Sequence, residues 1–271
     1  MTATTIDTAV ATEVTAGRRT PPAPTSFRRV LRVEWRKMFD TRSGFWMLAS
    51  IGILSVVATG ATIIFGDRES LTFEDFASAV GIPMSVILPM IGVLSVTSEW
   101  SQRTALTTFT LVPSRGRTVA AKLVNVLAIG VAAMLIAMAV GAVGNVILSN
   151  AIGVETQWGI SLAEVARIVL ASEIGMLIGF VLGLVVRNSP GAIVGYFVYA
   201  LVLPGISNAL ANAQDWWSDN SPWFDLNAAT FPLYDNTVTS QAWAQLGVTS
   251  LLWLVIPGLI GLRLMLRSEV K

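Results

Sequence analysis

The sequence has no cysteine and no histidine, and only 13% of its residues are charged. Without those two residue types there can be no disulfide, no Cys or His metal site, no cysteine nucleophile and no Ser-His-Asp triad. Lysine is almost as scarce, with only Lys37, Lys122 and Lys271. None of them sits in a G-x4-G-K-[ST] loop, so this sequence offers no P-loop for a nucleotide. The low charge excludes an ordinary soluble domain, where about a quarter of residues are charged. What is abundant is apolar: 54% of 271 residues are hydrophobic, with a mean hydropathy of +0.67. The expected class is an all-α integral membrane protein.

Six spans are expected, at about 45–65, 80–98, 123–149, 162–186, 191–212 and 243–265. Each supplies the ~20 residues needed to cross a hydrocarbon core, and helices are required because lipid cannot satisfy backbone hydrogen bonds. The second span contains Pro83 and Pro89. Sixteen of the eighteen basic residues fall on one side of this arrangement: before the first span, between the second and third, between the fourth and fifth, and after the sixth. The other side is acidic, with Asp67, Glu69, Glu74, Asp75, Glu155, Asp215, Asp219, Asp225 and Asp235. By the bias of Lys and Arg towards the cytoplasm, both termini are expected inside, in the cytoplasmic membrane. No apolar core of a secretory signal is expected in the first 44 residues.

Three units follow: a disordered cytoplasmic tail over 1–25, an amphipathic interfacial helix over 26–43, and a six-span domain over 44–271. The tail is rich in Thr, Ala and Pro. In 26–43, Phe27, Val30, Leu31, Trp35, Met38 and Phe39 recur at helical spacing, while Arg28, Arg29, Arg32, Arg36 and Lys37 cover the remainder. Such a helix can lie in the membrane surface with its cations near anionic headgroups, or act only as a topology signal.

Between the second and third spans lies SEWSQRTALTTFTLVPSRGRTVAAKLV, residues 98–124. A short helix is expected over 100–111, stopped by Pro113, with a turn at 114–116 and a second helix entering the third span. The result is a helical elbow able to pass a push from a docked partner to two membrane helices; the alternative is a basic topology loop. The pattern E-x3-R-T-x3-T-F-x3-P-x-R-G-R-x3-A-K-L resembles the cytoplasmic elbow of ABC type-2 transporter permeases, in a form common among actinobacterial members. The segment VEWRKMFDTRSGFW also resembles that family's surface helix leading into the first span. The resemblance implies an elbow that contacts a separate ATP-binding subunit through Glu99, Arg103, Thr104, Phe109, Pro113, Arg115, Arg117 and Lys122. It further implies two permeases and two ATPases per transporter, as a homodimer or pseudo-dimer in a lipid bilayer, with ATP and Mg bound only by the partner. No nucleic acid is implied.

Other residues carry less specific signals. Ala171, Gly175, Gly179 and Gly183 recur every four residues, suiting close helix packing within one subunit or at a dimer face. Glu173 lies deep in the fourth span, where a charge is costly, so it is expected neutral, paired or facing water. With Asn125 and Asn145 it can line a polar path or make interhelical hydrogen bonds. Glu164 and Arg167 are spaced to pair. The segment 213–242, with Trp216, Trp217, Trp223 and Tyr234, is either an interfacial aromatic belt or a set of short helices capping a path. The expected function is the membrane subunit of an ATP-driven exporter of an amphipathic or hydrophobic cargo, not itself an enzyme. The alternatives are a non-pumping immunity or scaffold protein, or a proton-coupled carrier hinging on Glu173.

Overall fold

The structure is a computed structural model that describes residues 26–40, 42–67, 70–101, 115–234 and 238–267, apart from the side chains of 43 and 99–101. Among the described residues there is no strand. Six helices are long and apolar enough to cross a membrane, making this a multi-pass membrane protein. Helix α1 is Phe27–Asp40, α2 Arg42–Phe65, α3 Phe73–Ser101, α4 Arg115–Ile152 and α5 Leu162–Val186. Helix α6 is Ser189–Ala213, followed by the short α7 (Asp215–Asn220) and α8 (Leu226–Thr230), and α9 is Ser240–Arg267.

The chain's local chemistry sets these ends. At α5, Ser161 and Glu164 form a reciprocal capping box. Arg187 closes that helix in a left-handed conformation at φ 55, and Asn188 then caps α6 by accepting from the Gly191 amide. Thr239 caps α9 in the same way. The turns over 214–234 include two 3-10 segments, Ser221–Trp223 and Phe231–Tyr234. They bury Leu226, Ala229 and Leu233.

Helix α3 is the centre, packing on α2, α4, α5 and the start of α6. Helices α3, α4 and α5 bury about half of their apolar windows, whereas α2, α6 and α9 bury 17% and form the outer layer. Phe76, Met84, Leu88, Met134 and Met176 are fully buried in the main core. The α3–α5 crossing is a backbone contact. A Cβ on Gly92 would collide with the Met176 carbonyl oxygen, one on Gly179 with the Pro89 carbonyl oxygen, and one on Gly183 would come within 3.0 Å of Val93 O. Small residues are required where helix backbones meet.

Proline shapes three of the spans. Pro89 has no amide hydrogen to offer the Ser85 carbonyl one turn earlier. The Tyr196 hydroxyl, from α6, donates to that carbonyl at 2.5 Å. In α6 and α9 the sequence repeats: Leu201-Val202-Leu203-Pro204-Gly205 and Leu254-Val255-Ile256-Pro257-Gly258. In each a wide π turn immediately precedes the proline, at Val198–Val202 and at Leu251–Val255. The Leu203 amide bonds Val198 O in the five-residue register. The next carbonyl in that register, Tyr199 O, faces Pro204, which has no donor, and Asn227 Nδ2 donates to it at 3.4 Å. The two turns meet through Tyr199 and Trp253, whose rings lie 5.6 Å apart, and Trp253 Nε1 donates to Phe224 O.

Candidate functional site

The sequence-predicted residues gather at three levels of the bundle. At the near end, where the start of α4 meets α1 and the end of α9, the buried side of α1 carries Val30 and Glu34. Lys122 Nζ lies 2.8 Å from Glu34 Oε2 and donates to Ser95 O at 2.9 Å, while Lys37 Nζ lies 2.8 Å from Glu34 Oε1. Asn125 Nδ2 donates to Leu31 O at 3.0 Å. Thus Lys122 and Asn125 clamp α1 onto α4, and Lys122 also reaches α3. Arg115 Nη1 donates to Met265 O at 3.2 Å, tying the first residue of α4 to α9. Ser189 Oγ donates to Thr97 Oγ1, joining α6 to α3. Arg117 is exposed. The Glu99 side chain, Arg103, Thr104, Phe109 and Pro113 lie outside the described residues.

Helix α1 packs on the bundle through few residues. Phe27, Trp35 and Phe39 are exposed, with the rings of Trp35 and Phe39 4.9 Å apart, and Arg28, Arg32 and Arg36 are exposed too. Sequence reasoning missed Glu34, although it had a signal: one acid among five cations at 28–37. A lone carboxylate there pairs with two lysines, one through each oxygen.

In the middle level, Glu173 is buried between α5 and α4 against Gly130 and Met176, and neither carboxyl oxygen has a hydrogen-bond partner among the described residues. Asn145 is buried and donates to Gln157 O at 2.8 Å, holding the chain that leads into α5. Of the four-residue ladder, Gly179 and Gly183 meet α3 backbone, Gly175 has only Pro89 Cγ at a relaxed 3.9 Å, and Ala171 is buried in the second core cluster.

At the far end, the first halves of α3 and α5, Tyr196 and Tyr199 of α6, and α8 line an open-mouthed cavity of about 490 Å³. That volume suits a small organic ligand. Glu74, Glu164, Asn227, Thr230 and Tyr234 are among the residues lining it. Glu164 Oε2 accepts the Ser161 amide, and Arg167 Nη2 stands 3.9 Å from Oε1. The cavity was not legible in the sequence, because four separate segments contribute to it. Outside it, Trp217 Nε1 donates to Ser207 Oγ and Trp217 stacks on Phe224, while Trp216 is exposed.

No protein-family model and no curated protein matches this chain.

Proposed function

We propose that this chain is the membrane-spanning permease subunit of an ATP-driven exporter of the ABC type-2 kind, with both termini cytoplasmic. One observation carries this reading: α3 leads from the start of the elbow sequence at 99–122 to the far-end cavity, so one helix links the expected docking segment to a ligand-sized space. The elbow motif supports a separate ATPase subunit as the docked partner. The clamp of Lys122 on Glu34 and the bond from Arg115 to Met265 support a shared response, because a push on the elbow bears on α1, α3, α4 and α9 together. ATP and Mg bind the partner, and two permeases assemble with two ATPases. The sixteen basic residues on the elbow side support placing that side in the cytoplasm.

A second reading is favoured by one feature. Glu173 is a buried carboxyl without a hydrogen bond among the described residues, the kind of group that carries protons in transporters. In a proton-coupled carrier Glu173→Gln abolishes transport, whereas in the exporter transport survives that change and fails when the ATPase is inactivated.

The test is copurification in mild detergent from the native host, with wild type beside a Glu99→Ala, Arg117→Ala double variant. Neither position takes part in the Arg115–Met265 bond or the Lys122–Glu34 pair. An ATPase subunit held by wild type and lost by the variant is the expected result. No ATPase with either, under conditions that keep other membrane complexes whole, overturns the exporter reading.

A further inference from the structure

The far-end cavity presents an uneven set of polar atoms. Several of its donors are already engaged. The hydroxyls of Ser85, Ser172, Thr230 and Tyr196 donate to Ile82 O, Ile168 O, Asn227 O and Ser85 O respectively. The Asn227 amide donates to Tyr199 O. Its acceptors are less committed. Glu74, at the exposed mouth, makes no hydrogen bond or ion pair among the described residues, and the second carboxylate, Glu164, accepts from its cap and pairs loosely with Arg167 at 3.9 Å. Tyr199 is 8% exposed, lines the cavity, and its hydroxyl makes no hydrogen bond among the described residues. No Lys or Arg lines the space among the described residues. Ile82, Ile160, Ile168 and Ile174 supply an apolar wall, and Ser78 and Tyr234 add hydroxyls.

An anion entering here would meet two carboxylates and, among the described residues, no lining cation. A cation with a bulky apolar body would meet two carboxylates, aromatic faces and aliphatic side chains, the elements that recognise quaternary and lipophilic cations. We propose that the far-end cavity between α3, α5, α6 and α8 is a binding site for lipophilic organic cations. As a binding site this stands on the cavity alone; as a cargo site it rests on the exporter reading above.

The probe is radiolabelled tetraphenylphosphonium, measured by equilibrium dialysis against the full chain in zwitterionic nanodiscs, with empty nanodiscs subtracted. Tetraphenylborate, of the same shape and opposite charge, is the control. Saturable binding of the phosphonium but not of the borate is expected. Glu74→Gln with Glu164→Gln should weaken it about tenfold, the worth of one charge-assisted contact. Glutamine at 164 keeps the capping box, so the fold is preserved. Gly81→Leu fills the space, since a Cβ at Gly81 meets nothing within 4 Å, and should remove binding. Equal binding of the borate, or variants that bind as wild type does, overturns the proposal. The assay contains no ATPase: loss of phosphonium binding leaves the exporter reading untouched, and failed ATPase copurification leaves the site untouched.

Discussion

Two glycines of one ladder make opposite predictions. In the sequence, Gly175 and Gly179 look equivalent, four residues apart on α5. At Gly179 an added Cβ meets the Pro89 carbonyl oxygen, which is backbone and cannot swing aside; at Gly175 it meets Pro89 Cγ at an ordinary 3.9 Å. Gly179→Ala should therefore separate α3 from α5 and cost about 1–3 kcal/mol, the usual penalty of overpacking. Gly175→Ala should be neutral or slightly stabilising, because alanine is the better helix former. Thermal unfolding of the two variants in the same detergent reads this directly. Equal losses would mean that the ladder packs on something other than α3. The ladder was legible; its partner was not, because spacing names a face and not what lies across it. Glu34 went unread for a similar reason: its role depends on lysines 3 and 88 residues away.

Elements were read with uneven success. The span at 162–186 is exact, because the capping box and the left-handed Arg187 end it sharply. The expected spans 80–98 and 123–149 fall short of α3 and α4, since hydropathy marks only the greasy middle of a helix and not its polar turns. The two π turns were missed although their L-V-[L/I]-P-G repeat was in plain view. At this scale the docking of α1 is the feature to break. Glu34 and Lys122 are nearly closed to solvent, with side-chain exposures of 4% and 10%. Lys122→Met alone leaves the buried carboxylate with only the half-exposed Lys37 as partner and should cost about 1–3 kcal/mol, whereas adding Glu34→Gln should recover much of the loss. Unfolding curves for the two variants check it, and equal destabilisation would make the clamp incidental.

For the whole molecule, the number of spans and the all-helical class were legible because lipid allows few solutions. The cavity was not, since it belongs to the assembled bundle. The topology itself has a clean test, because the chain has no native cysteine. A single cysteine at Ser26 should react with a membrane-impermeant maleimide only in inverted vesicles, and one at Gly153 only in intact cells. The opposite pattern would invert the orientation that the basic residues predict.

The crossing of α3 and α5 also bears on how the chain is made. Spans leave the ribosome in order, so α3 enters the membrane before either partner it needs. Until α5 follows, the close-approach surface at Pro89 and Gly92 faces lipid or a temporary neighbour. Until α6 follows, the carbonyl of Ser85 has no Tyr196 hydroxyl to receive. The second span is therefore a provisional helix during biogenesis, completed only by the fifth, and a nascent chain cut after α4 should be held by an insertion chaperone or degraded.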